Sequence, residues 1–308
     1  MAERWDLKGL TRVDVLVAGV LCLLLTILVP VLLAKPLEQS IRQLCAANLA
    51  QIGKTILVYA NDYQGTLPRA GGPTTVWGAV PNWRSPNRYA AFNLDAKGQG
   101  GTATISSCFF LLVKYYEIPT KLFICRDDQG ATEYVLSGWG KSIPTNFKLT
   151  DAWDFGPKTE SFKHCSYSYH IPFGLYPLTT SRDPNLAVAA DRNPWLKSPD
   201  PGPRQLASFK PDIAPWRGTP EQARGGNAIT HDTDGQNVLF LDARVTFEKR
   251  PYCGVDNDNI YLVSSSPDVG SPLGSIPDSP VVKPSNKRDS VLVHDPNTWP
   301  AAVRTQQP

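Results

Sequence analysis

The densest set of potential metal ligands in this 308-residue chain is His231, Asp232, Asp234 and Asp242. Clustered His and Asp side chains build metal hydrolase sites. Yet the chain has only four histidines, and no His-x-His or His-Glu-x-x-His accompanies His231. Asp and Gly turning the chain on either side of a strand account for the same residues. A second oxygen-rich stretch, Asp256-Asn257-Asp258-Asn259, joins Asp232 and Asp234 in offering the hard ligands that Ca²⁺ takes. Neither loop carries the Glu that completes an EF-hand, and Asx turns without an ion explain both equally well. Cys165 beside His164 is a poor nucleophilic pair, because neighbours on a strand point to opposite faces. No Gly-rich phosphate loop or Gly-x-Ser-x-Gly elbow occurs, so catalysis is not expected.

Six cysteines are present and none forms a C-x-x-C, which gives little support to zinc or thioredoxin-like chemistry. Cys22 lies in an apolar run. Of the remaining five, Cys108 with Cys125, flanking a short helix, and Cys165 with Cys253 are candidate pairs, with buried free thiols as the rival. Connectivity is open at this point.

The elements that must position these residues are unevenly marked. Apolar residues recur at Ile41, Cys45, Leu49, Ile52, Ile56, Tyr59 and Tyr63, one stripe of an α-helix over residues 35–65, with Gly65 and Pro68 as its stop. A helix is expected from Ser107 to Tyr116. Strands are expected over Lys121–Cys125, Ser166–Tyr169, Leu186–Ala190, Gly226–Thr230, Asn237–Asp242 and Arg244–Lys249, the last two as a hairpin about Asp242-Ala243-Arg244. The fold class is α+β, a long N-terminal helix laid on an antiparallel sheet. Residues 66–263 form the globular head, long enough for a core of its own. Residues 264–308, rich in Ser, Pro and Asp, read as flexible or draped over it. A net charge of +3 and eight scattered tryptophans give no basic stripe, so nucleic acid is not indicated. Exposed aromatic residues around Trp77, Trp83 and Trp195 are candidates for glycan or subunit binding, and capping of the core edge is the alternative.

At the N-terminus, a polar stretch ends in Lys8-Gly9, Leu10-Thr11-Arg12-Val13-Asp14 follows, and Val15 to Ala34 is uncharged. At about 1.5 Å per residue that last run is a helix roughly 30 Å long, the thickness of a bilayer's hydrocarbon core. An acidic residue at the edge of such a run calls for a partner.

This arrangement resembles the signal of type IV prepilins and type II secretion pseudopilins. Asp14 stands where Glu is usual in that family and Leu10 where Phe or Met is. Two further stretches look like those of bacterial pilin-like proteins with large heads. One is Cys45-Ala46-Ala47-Asn48-Leu49-Ala50-Gln51-Ile52-Gly53, continuing through Tyr59 to Gly65 and Pro68. The other is the hairpin following His231, where Ala243 and Arg244 replace the usual Gly and His. The resemblance implies a leader over residues 1–9, cleavage by prepilin peptidase between Gly9 and Leu10, and methylation of the new amine. It implies a membrane helix over residues 10–34, and Asp14 pairing with the amine of a neighbouring pilin-like subunit in the assembled bundle. It places the chain in the inner membrane with its N-terminus cytoplasmic and its head periplasmic, within a pilus, pseudopilus or secretion filament. It also makes a structural Ca²⁺ at Asp232, Asp234, Asp256 and Asp258 admissible. The alternative is a single-pass anchored head that binds a ligand or metal and never polymerises.

Overall fold

The computed structural model describes residues 11–197 and 205–299, excepting the side chains of residues 30–35 and 140–142. The chain divides into two units, Met1–Gln43 and Leu44–Pro308. The first contains the N-terminal part of helix α1, Arg12–Asp62. Its stretch Arg12–Val29 has a mean hydropathy of 2.4, buries nothing, and is long and apolar enough to cross a membrane. Thr11 starts the helix with a capping box. Its backbone N–H and its hydroxyl donate to Asp14 Oδ2 at 2.8 and 2.7 Å, while the Asp14 N–H donates back to Thr11 Oγ1 at 3.3 Å.

The second unit is α+β. Cys45, Leu49, Ile52, Ile56 and Tyr59 of α1 are buried, as the stripe requires. The helix ends where the Gly65 N–H donates to the Ala60 carbonyl at 2.7 Å, with Gly65 at φ 79°. Five antiparallel strands follow: β1 Tyr167–His170, β2 Ala187–Asp191, β3 Gln236–Phe240, β4 Val245–Glu248 and β5 Leu292–Val293. Their order is β4-β3-β2-β1-β5. Register runs through Ser168↔Ala190, Ala190↔Val238 and Val238↔Thr246.

The three central strands are buried throughout, so the sheet is covered on both faces. Val238 and Phe240 pack with Trp195, Phe209, Tyr252 and Tyr261. Between them in sequence, Leu239 points the other way, onto α1 at Gly53, where an added Cβ would lie 2.5 Å from Leu239 Cδ1. Tyr167 shares that face and donates its hydroxyl to the Cys45 carbonyl at 3.4 Å.

Helix α2, Ile105–Tyr116, begins two residues earlier than expected, capped by Thr104. Two buried carboxylates hold its start. Asp295 accepts from the N–H groups of Ile105 and Ser106, each at 2.8 Å, and from Trp77 Nε1 at 2.9 Å. Asp154 accepts from the hydroxyls of Thr104 and Ser106 at 2.6 and 2.8 Å. Burial, with the Asp295 charge nearby, pushes Asp154 up to about 7.

Several expectations need correction. Lys121–Cys125 is no strand: Thr120–Phe123 is a 3-10 turn, closed by the Leu122 N–H on the Pro119 carbonyl at 3.1 Å. Gly226–Thr230 stays irregular because Phe209 packs directly over Gly226 and the Asn227 amide is spent on the carbonyls of Thr233 and Lys249. The segment from 264 is packed through residue 299, so the head does not stop at 263. Leu292–Val293 is the edge strand of the main sheet, and Asp289, Ser290, His294 and Asp295 are buried. Trp77, Trp83 and Trp195 are 4, 8 and 3% exposed, so they cap core edges instead of presenting a binding surface. The hairpin forms as expected, and Ala243 takes φ 65° where Gly is usual in the resembling family.

Two outcomes follow from this packing. Gly53→Val overfills the seam and costs about 1–3 kcal/mol, and Leu239→Ala opens a cavity and costs about 2–5 kcal/mol. The double variant loses less than the sum by at least about 1 kcal/mol, measured by urea unfolding followed by tryptophan fluorescence. For Asp154, the folded chain holds a proton that the unfolded chain releases between pH 3.8 and about 7. This group's contribution therefore declines as pH rises through that window. Asp154→Asn should flatten the fall of melting temperature with pH relative to the parent chain; parallel profiles would contradict this.

Candidate functional site

Gly9 and Leu10, the expected cleavage and methylation positions, lie outside the described residues. Asp14 sits in the first turn of α1, fully exposed, with Oδ2 engaged by Thr11.

The four aspartates considered for Ca²⁺ are not brought together. Asp232 is exposed at φ 52°. Asp234 pairs with Arg224, and Asp256 with Arg288 at 2.9 Å. Asp258 is buried and accepts from the backbone N–H groups of Ser271 and Ser290 at 3.2 and 2.7 Å. Burial and the nearby Asp289 charge raise its pKa well above the carboxylate range. It holds the 271 and 290 segments in place by accepting hydrogen bonds. Asp242 pairs with Arg244 at 2.7 Å across the hairpin tip.

Among the described residues, three His, Cys, Asp or Glu side chains bring their ligand atoms within 4.8 Å of one another at one place, Cys45, Cys125 and His231, all buried. Cys45 comes from the buried stripe of α1 and Cys125 from the loop after the 3-10 turn. They form a disulfide with Cα atoms 5.2 Å apart. This replaces both expected pairings, because Cys125 bonds to Cys45 and not to Cys108, and Cys165 and Cys253 remain free thiols. Cys45 owes its partner to the helix stripe that buries it toward the sheet, a tertiary contact without a spacing signal. Cys108 and Cys165 are deep in the core, and burial pushes both thiols up, Cys165 to about 12.

His231 Nε2 lies 3.7 Å from Cys125 Sγ and 3.4 Å from Asp191 Oδ2, and the Asn237 amide nitrogen is 3.3 Å from it. On the ring's other side, Nδ1 is 3.7 Å from Asp127 Oδ2, which also accepts the His231 backbone N–H. His231, Asp232 and Thr233 all adopt positive φ, so this loop departs from ordinary backbone to put the ring inward. Asp191 ends β2 and Asn237 lies on β3. The sequence singled out His231; Asp127, Asp191 and Cys45 join it through the sheet register and the α1 seam.

A separate cavity of about 340 Å³ lies beside the end of α1, lined by Tyr59, Tyr63, Tyr115, Arg69 and Arg88 among others. Arg88 donates to the Gly71 carbonyl, and neither arginine is ion-paired among the described residues. Two cations beside phenol rings suit an anionic ligand.

Comparison with protein-family models, curated proteins and solved structures found no match.

Peptide mapping without reduction should return Cys45 linked to Cys125, and alkylation of the unfolded, unreduced chain should label Cys22, Cys108, Cys165 and Cys253. A Cys108–Cys125 peptide would overturn this assignment.

Proposed function

We propose that this chain is a pilin-like or pseudopilin-like subunit, held in the inner membrane by its N-terminal helix and assembled through that helix into a pilus, pseudopilus or secretion-related filament. One observation carries the reading. The α1 stripe from Cys45 to Tyr59 is buried in the head, whereas large apolar residues from Val13 to Val29 are exposed around the whole helix. A helix apolar on every side is stable only in lipid or among other apolar helices. Asp14, at the start of that run, is the residue through which a neighbour's amine would be paired. Prepilin peptidase would act between Gly9 and Leu10, and the processed amine of Leu10 would supply the charge that Asp14 meets.

A second reading, an anchored head that binds a ligand without polymerising, is favoured by the Arg69 and Arg88 cavity. Intact mass and N-terminal mapping of membrane-extracted protein separates the two. A chain beginning at methylated Leu10, whose Asp14→Ala variant is processed yet fails to crosslink to its neighbours, is expected for the subunit. A chain retaining Met1 to Gly9 would overturn the filament reading.

A further inference from the structure

The disulfide between Cys45 and Cys125 lies inside a set of side chains that a disulfide alone does not call for. Zinc bonds to sulfur at about 2.3 Å and to imidazole nitrogen or carboxylate oxygen at about 2.0 Å, so a tetrahedral site separates sulfur from nitrogen by roughly 3.5 Å and nitrogen from oxygen by roughly 3.3 Å. The Cys125 Sγ to His231 Nε2 and His231 Nε2 to Asp191 Oδ2 separations, 3.7 and 3.4 Å, match those two edges. Asp127 beside Nδ1 is placed as the outer carboxylate that commonly holds the N–H of a metal-bound histidine and leaves Nε2 for the ion. Asp191 supplies an independent pointer. It is fully buried beside the site, and while its Oδ2 accepts the Asn237 N–H at 2.7 Å, its Oδ1 has no hydrogen-bond partner. A buried carboxylate left this way is costly and is stabilised by an adjacent cation.

We propose that, when Cys45 and Cys125 are thiols, the chain binds one zinc-class cation through Cys45 Sγ, Cys125 Sγ and His231 Nε2, with the Asp191 carboxylate turning in to complete the site, making metal and disulfide alternative crosslinks of α1 and the 125 loop. Binding releases two thiol protons to solvent and leaves the metal's oxidation state unchanged. Conversion to the disulfide takes an external disulfide as oxidant. Its sulfur–sulfur bond breaks and takes up two protons from solvent to give two thiols, the Cys45–Cys125 bond forms, and the cation departs. The physical consequence is continuity: the tie between α1 and the 125 loop is available in reducing and oxidising surroundings alike, and the metal adds the 231 loop to it. The filament reading is not needed for any of this.

The test uses the full chain, made in a reducing cytoplasm with zinc in the medium and purified in detergent with a non-chelating phosphine reductant. One zinc per chain is expected, with thiolate-to-metal charge-transfer bands after cobalt exchange. After removal of the phosphine, oxidation by excess oxidised glutathione should release the metal as the Cys45–Cys125 peptide appears. His231→Ala and Cys125→Ser should each weaken zinc binding more than tenfold, and Asp191→Asn about tenfold. His231→Cys should retain the metal, which shows that a substitution at this position is tolerated by the fold. A reduced chain that is folded by circular dichroism and holds no zinc overturns the proposal, as does zinc that survives His231→Ala together with Cys125→Ser. If the reduced, metal-free chain is unfolded, recovery of the native spectrum on adding zinc supports the site, and failure to recover overturns it.

Discussion

The seam between α1 and the sheet is the constraint on which the rest of the head depends. Gly53 has no Cβ, so Leu239 can lie directly against the helix, and Cys45, Leu49, Ile52 and Ile56 are buried along the same helix. Interiors pack at crystal-like density, so this face admits one helix at one height. That height brings Cys45 to Cys125 and carries the helix backbone over Tyr167, whose hydroxyl reaches the Cys45 carbonyl. A shift of one helical residue would turn the stripe by about 100° and lose the disulfide and the packing together.

Away from the seam the head has little regular structure, and its backbone donors must be satisfied by other means. Buried aspartates do this. Asp295 receives the first N–H groups of α2, Asp258 those of Ser271 and Ser290, and Asp289 those of Ser264 and Ser285, while Asp154 holds the same helix start through the hydroxyls of Thr104 and Ser106. Each ties segments far apart in sequence, which explains how a Pro- and Ser-rich stretch can be ordered with few apolar residues. Burial raises the pKa of all four. Their hydrogen bonds therefore oppose a desolvation cost in the charged state, and stabilisation of the loops is bound to protonation.

This division explains what could be read from the sequence. The α1 stripe and the β3–β4 hairpin were legible because periodicity and turn residues are local signals, and the hairpin survives even with Ala243 in the left-handed turn position. The region beyond 263 was not legible. Its order rests on a two-residue edge strand and on carboxylate to N–H bonds, neither of which produces a period. Lys121–Cys125 has the composition of a strand, but Pro119 starts a turn whose carbonyl captures Leu122. For the cluster at His231, the ligand types were visible and the companions were not. Asp232 and Asp234 are neighbours in sequence that face outward or pair with arginine, whereas Cys45, Cys125 with Asp127, and Asp191 arrive from three other segments.

Asp14 has a local role at the start of α1 that is compatible with the pairing proposed for it. An ionised carboxylate has about four acceptor sites, and Thr11 occupies only Oδ2. In a lone chain these two bonds replace part of the hydration the carboxylate loses near the apolar run, lowering the cost of an acid at that depth. Oδ1 keeps its lone pairs, and the capping box fixes the side chain at the helix start. An incoming cation would then meet a carboxylate that is already ordered, so little rotamer entropy remains to be lost on pairing. The shorter Asp favours this arrangement, since its carboxyl reaches the Thr11 N–H from the third position of the helix.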